Sequence, residues 1–135
     1  MLFKLGEKMN ETKANNLNPI VLAFVGDAVY TLFVREKLTF SSDYKTGELN
    51  KLATKEVKAT AQAEFINDVI PLLTDKELSV YKRGRNAKKP TKAKNASVTE
   101  YNASTGFEAL LGYLYLIGDY DRLNFILNKG NINEG

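Results

Sequence analysis

The sequence predicts an all-α fold, and three observations carry that prediction. Two long apolar stretches, Asn18–Leu38 and Thr99–Ile117, have the length and end signals of helices. Between them Leu49, Leu52, Ala53, Val57, Ala61 and Phe65 recur at helical spacing. No stretch alternates apolar and polar residues long enough to make a strand. With 135 residues, 44% hydrophobic and 26% charged, the chain is expected to form one domain, 1–135, around one core.

The elements follow in order. Residues 1–16 read as an N-terminal arm or short helix. The stretch Asn18–Leu38 enters through an Asn N-cap and a first-turn proline and exits on Arg35, Glu36 and Lys37. From Ile20 to Val34 only Gly26, Asp27 and Thr31 interrupt its apolar run, so it has no polar face and is expected in the middle of a bundle. A bilayer span is the weaker reading, because the apolar core is shorter than the roughly 20 residues a spanning helix needs and carries a carboxylate. Thr39–Thr46 reads as a loop, and Gly47–Asn67 as one amphipathic helix. Asp68–Leu73 contains Pro71 and marks a break. Thr74 and Glu77 form a capping-box pattern that opens a short helix, Asp75–Arg83, which Gly84 is expected to close. Residues 84–98 read as an exposed basic loop. Thr99–Ile117 is the second apolar helix, stopped at Gly118, and Asp119–Asn128 makes a last short helix.

Composition narrows the chemistry. The chain contains neither cysteine nor histidine, which removes disulfides, thiol nucleophiles, histidine acids and bases, and zinc sites built on either residue. Catalysis, if any, must run on carboxylates, lysines, tyrosines or a metal held by oxygen. The first sixteen residues mix acids with bases and show no leader pattern, so a cytoplasmic protein is expected.

Net charge is only +3, but it is unevenly placed. Lys82, Arg83, Arg85, Lys88, Lys89, Lys92 and Lys94 lie in one acid-free segment, and the rest of the chain is net negative. One local basic patch is the footprint of a polyanion site, although lysine runs also serve as plain solvated surface. Arginines add forked donors that match phosphate oxygens. The flanking Tyr81 and Tyr101 are too few for a base-stacking platform, whereas recognition of duplex RNA by shape needs none.

Each apolar helix carries one acid, Asp27 in the first and Glu108 in the second. A charge buried alone at the centre of such a helix would cost several kcal/mol, on the order given for unpaired buried ions. A metal ion or a buried cationic partner would answer that cost. The two acids can converge if the helices cross where Gly26 and Gly112 permit close approach. Oxygen-only ligands suit Mg²⁺ or Mn²⁺, and such a site near a basic segment suggests phosphate-ester chemistry.

The residues Leu22–Val29, LAFVGDAV, resemble the signature helix of the ribonuclease III family, and Phe107–Gly112, FEALLG, resembles its second acidic motif. The segments Arg83–Lys88 and Gly112–Leu116 are similar to the branch of that family that keeps the catalytic domain and lacks the double-stranded-RNA-binding domain. The resemblance runs from about Asn18 to Leu127. It implies an all-α ribonuclease III catalytic-domain bundle working as a homodimer on double-stranded RNA. It also implies magnesium-assisted attack of water that leaves a 5′-phosphate and a 3′-hydroxyl. Asp27 and Glu108 fall on the two central catalytic, metal-holding carboxylates, and Phe24 on a dimer-contact aromatic. Lys82, Arg83, Arg85, Asn86, Lys88, Lys89, Lys92 and Lys94 would grip RNA in place of the missing domain. The branch is linked to the ends of precursor large-subunit (23S) ribosomal RNA, often with a ribosomal protein presenting it. Further acids of the family are replaced here by Ile20, Ala23 and Thr105, and Thr105 or Glu48 are candidates to supply the missing oxygens. The alternative is a non-catalytic RNA-binding or dimerisation module with a degenerate metal site.

Overall fold

Helix formation in the second acidic segment sets the architecture. In the computed structural model, which describes residues 7–41, 45–89 and 97–130, Val98–Leu116 forms the central helix, α6. Every residue from Ser104 to Leu114 is buried except Glu108, which is half-buried. Before it in the chain come α1 (Glu11–Asn15), α2 (Pro19–Ser41), α3 (Thr46–Val57), α4 (Ala59–Val69), a 3-10 turn (Ile70–Leu72) and α5 (Asp75–Asn86); α7 (Tyr120–Leu127) follows it. Helices α1, α2, α4, α5 and α7 all pack against α6, and α3 packs against α2 and α4. There is no strand among the described residues.

The sequence placed the first apolar helix in the middle of the bundle, and that is corrected. Helix α2 buries Leu22, Ala23, Gly26, Val29, Tyr30, Val34 and Leu38, yet Val21, Phe24, Ala28 and Leu32 on its other side are exposed. An all-apolar helix reads as fully buried only if its own chain covers every side. Here the described residues cover one side alone. The ends follow local chemistry: the Asn18 side chain accepts the Ile20 N–H at 2.9 Å, as an N-cap should.

Two further expectations are corrected. Residues 47–67 are not one helix but two, because Lys58 adopts extended backbone (φ −63°, ψ 149°) between α3 and α4. No glycine or proline marks that break, and the apolar spacing runs through it. Nor does Gly84 close α5, which continues to Asn86. Gly84 instead lies against α6, where a Cβ would stand 2.8 Å from the Ala109 Cβ and 2.9 Å from the Gly106 Cα. It is there for helix contact, not for a positive φ. The Thr74–Glu77 capping box does open α5, and Gly118, at φ +76°, does end the α6 segment.

Polar staples fix these helices around α6. Arg122 of α7 donates to both Glu77 oxygens, at 2.7 and 2.8 Å, and to the Leu72 carbonyl at 2.6 Å. Burial alone would push the Glu77 carboxyl up; Arg122 and the Thr74 N–H outweigh it and hold Glu77 below the usual carboxylate range. Tyr30, Phe65 and Phe107 form an aromatic cluster with ring centroids 5.2 to 5.8 Å apart, tying α2 and α4 to α6 beside Glu108. No helix among the described residues is long and apolar enough to cross a membrane.

Candidate active site

The crossing of α2 and α6 is built on two glycines, as the sequence led one to expect. A Cβ on Gly26 would stand 1.7 Å from the Glu108 carbonyl oxygen, and one on Gly112 would stand 1.9 Å from the Leu22 carbonyl oxygen. With no side chains in the way the backbones touch, and Asp27 and Glu108, next to the contact, come together. The two carboxyl groups are close enough for Asp27 to act on the Glu108 carboxyl.

The expectation of a buried Asp27 is corrected: Asp27 is exposed, and Glu108 is the acid partly withdrawn from water. Asp27 follows Gly26 round the helix and emerges at the edge of the contact rather than in it. Burial first, and then the hydrogen bond and charge of Asp27, push the Glu108 carboxyl up to about 9. The Gln62 amide works in the opposite direction. At neutral pH Glu108 therefore keeps its proton when nothing else neutralises its charge. A hard cation could take that proton's place: Mg²⁺ or Mn²⁺ is commonly held by one or two carboxylates plus water, and both donors here are oxygen.

The other proposed oxygen donors do not join the pair. The Thr105 hydroxyl is buried and donates to the Tyr101 carbonyl of its own helix at 3.0 Å. Glu48 is exposed in the first turn of α3. Among the described residues no group of three or more acids is gathered for a metal. Ala23 is buried in the core, and Ile20 is half-buried.

Gln62 of α4 reaches the site instead, and sequence reasoning missed it. Its Nε2 donates to the Val57 carbonyl at 2.8 Å and to Glu108 Oε2 at 3.4 Å. Its Oε1 is buried and meets no donor among the described residues. Two net hydrogen bonds contribute about 1–3 kcal/mol together, and an orphaned buried acceptor costs about 1–3 kcal/mol, so for the carboxamide the two effects roughly offset each other. Nothing in the sequence marks it, since a glutamine among apolar residues of an amphipathic helix looks like surface.

The basic residues lie on a neighbouring side of the same helix. Gly84 meets Thr105, Gly106 and Ala109, so the end of α5 reaches α6 within about one helical turn of Glu108. Lys82, Asn86 and Lys88 are exposed there. Arg85 lies over the Tyr81 ring at 5.7 Å and bonds Asn86 Oδ1 at 3.1 Å. Arg83 is committed to the fold: it donates to the Asn15 carbonyl at 2.7 Å and to Asn15 Oδ1 at 2.9 Å. Lys89 donates to the Gly84 and Arg85 carbonyls at 2.8 and 2.7 Å, capping α5. Lys92 and Lys94, predicted as part of the basic loop, lie outside the described residues. A groove of about 990 Å³ between residues 16–19 and α5 collects Lys82, Arg83 and Asn86 on one wall.

Phe24 projects from α2, 81% exposed, one turn before the acid pair. With Val21, Ala28 and Leu32 it forms an apolar stripe that Asp27 borders.

Comparison with known proteins places the chain in a family. Residues 20–119 match the family model of the ribonuclease III domain. The chain is 48% identical to Mini-ribonuclease 3 of Symbiobacterium thermophilum over 82% of its own length and 85% of that protein's. It is 43% identical to Mini-ribonuclease 3 of Clostridium tetani over 91% and 82% respectively. Its fold superposes on the crystal structure of a Fusobacterium nucleatum protein with a TM-score of 0.76 at 30% identity, over 84% of this chain and 90% of that one. The chain belongs to the ribonuclease III family and is an endoribonuclease. Within the family it stands on the Mini-ribonuclease 3 branch, whose members it matches over most of its length.

Proposed function

We propose that the protein is a Mg²⁺-dependent endoribonuclease that cuts double-stranded RNA, working as a homodimer with residues 1–135 as one catalytic domain. The observation that carries this reading is the Asp27–Glu108 pair at the α2–α6 crossing, about one turn from the basic end of α5. Asp27 and Glu108 would hold the cation (Mn²⁺ is an equivalent choice), and when bound it supplies charge neutralisation at the phosphodiester and a lowered water pKa. The chain's own residues do the rest. Gly26 and Gly112 set the spacing of the acids, and Glu108 keeps its partial burial so that its charge is not screened.

Lys82, Arg85, Asn86 and Lys88 bind backbone phosphates, and Lys92 and Lys94 extend the same basic segment along the duplex. Arg83 and Lys89 shape that segment through their bonds to Asn15 and to the end of α5. The exposed Phe24 stripe supports a dimer in which a second copy covers it and each protomer supplies one acid pair to one strand. The natural RNA is the precursor of large-subunit 23S ribosomal RNA in the cytoplasm, presented with a ribosomal protein; the likeness to the Mini-ribonuclease 3 branch supports this choice.

The test is incubation with long duplex RNA, its separated strands as controls, in Mg²⁺ or in chelator. Cleavage of the duplex alone, dependent on Mg²⁺ and leaving 5′-phosphate and 3′-hydroxyl ends, is the expected result. Duplex cleavage at full rate in chelator overturns the metal role, and preference for single strands overturns the substrate.

A further inference from the structure

Gln62 stands between the end of α3 and the acid pair, and its environment admits only one orientation. It is 2% exposed. The Val57 carbonyl, 2.8 Å from its amide nitrogen, can only accept, and Glu108 Oε2 lies 3.4 Å from the same nitrogen. The NH₂ must therefore face them, and Oε1 must face away, where no donor among the described residues meets it. A residue present only to fill this space would be apolar and would leave no orphaned acceptor. What the amide adds over an apolar side chain is a grip on Glu108.

We propose that Gln62 is a positioning residue that fixes the rotamer of Glu108. One N–H is anchored on the Val57 carbonyl, a main-chain group at the end of α3, and the other restrains Oε2. The remaining lone pairs of Glu108 are thereby kept on the side of Asp27, where a divalent cation is received. At 3.4 Å the contact is long, as catalytic-site hydrogen bonds often are before substrate binds. The lack of other acids in the site makes this aim more important, because no third acid among the described residues would hold a misplaced cation. This inference rests on the metal reading proposed above.

The test compares wild type with Gln62→Met, which keeps the volume and removes the amide, and Gln62→Asn, which draws the amide back by one methylene. Ile66→Val, in the same helix and 1% exposed, is the packing control. Two readouts are taken: the Mg²⁺ concentration that half-saturates cleavage of duplex RNA, and the thermal shift produced by Mg²⁺ alone. Both Gln62 variants should need about tenfold more Mg²⁺ in each, with KM for RNA unchanged, as is usual when a partner of a metal ligand is lost. Ile66→Val should leave both midpoints at the wild-type value. Wild-type midpoints in Gln62→Met or in Gln62→Asn overturn the positioning role, and so does an equal displacement in Ile66→Val. If Gln62→Met fails to fold, Gln62→Asn decides alone. A wild-type protein that responds to Mg²⁺ in neither readout overturns the metal reading and this inference together, so the two failures are distinguishable.

Discussion

Gly26 of α2 lies against the backbone of Glu108 in α6, so close that a Cβ would stand 1.7 Å from the Glu108 carbonyl oxygen. The glycine that makes the helix contact thus precedes one acid of the proposed catalytic pair and abuts the other. Packing and chemistry share one point, and a change that pushes the helices apart also separates the carboxyl groups. Replacing Gly26 by Ala should lower stability by about 4 kcal/mol or more, the range of severe overpacking, since neither backbone can give way locally. Urea denaturation measures it. A stable Gly26→Ala protein with wild-type activity would contradict the close crossing.

The Arg122–Glu77 pair predicts a pH-dependent contribution to stability. Glu77 is held below the ordinary carboxylate range in the folded state, so its contribution is present above the unfolded pKa of about 4.3 and is lost as pH falls through the folded value. Glu77→Gln should cost about 2 kcal/mol at pH 7. This is less than the roughly 3–5 kcal/mol of a fully buried pair because Arg122 remains 25% exposed. The gap between wild type and variant should narrow below about pH 4. A gap that stays constant from pH 7 to pH 3 would assign the loss to packing.

The basic residues separate into two kinds. Lys82→Gln and Lys88→Gln should leave stability within about 0.5 kcal/mol and each reduce the salt dependence of RNA binding by about one unit of slope. Arg83→Gln should lower stability by about 1–2 kcal/mol, because it removes both bonds to Asn15. Melting curves and binding measured across a salt series distinguish the two. Equal effects of all three on folding would erase the distinction.

Phe24→Lys tests the proposed homodimer. An 81% exposed side chain contributes little to the fold of one chain, so the variant should melt close to wild type if dimer and monomer have similar stability, yet sediment as a monomer. A variant that still sediments as a dimer would move the interface elsewhere.

Much of this was legible in the sequence because local signals were strong. Asn18, the Thr74–Glu77 pair and Gly118 set helix ends through their own hydrogen bonds or backbone freedom, and the glycines at 26 and 112 anticipated a close crossing. What was hidden depended on distant partners. Lys58 breaks a continuous apolar pattern without any residue that disfavours helix. Gly84 reads equally as a cap or as a contact until α6 is known to lie against it. Asp27 looked buried because a one-chain reading assigns every apolar face to the core, and the Phe24 side of α2 is not covered by the described residues. Gln62 acquires its meaning only from the Val57 carbonyl and Glu108, which folding brings to it.

The most direct measurement is single-turnover cleavage of duplex RNA by wild type, Asp27→Asn and Glu108→Gln, with RNA binding and melting temperature recorded on the same samples. The account predicts that both variants fold and bind RNA nearly as wild type does while cleavage is abolished. Cleavage by Asp27→Asn at the wild-type rate would contradict the central claim that the carboxyl pair at the α2–α6 crossing performs the chemistry.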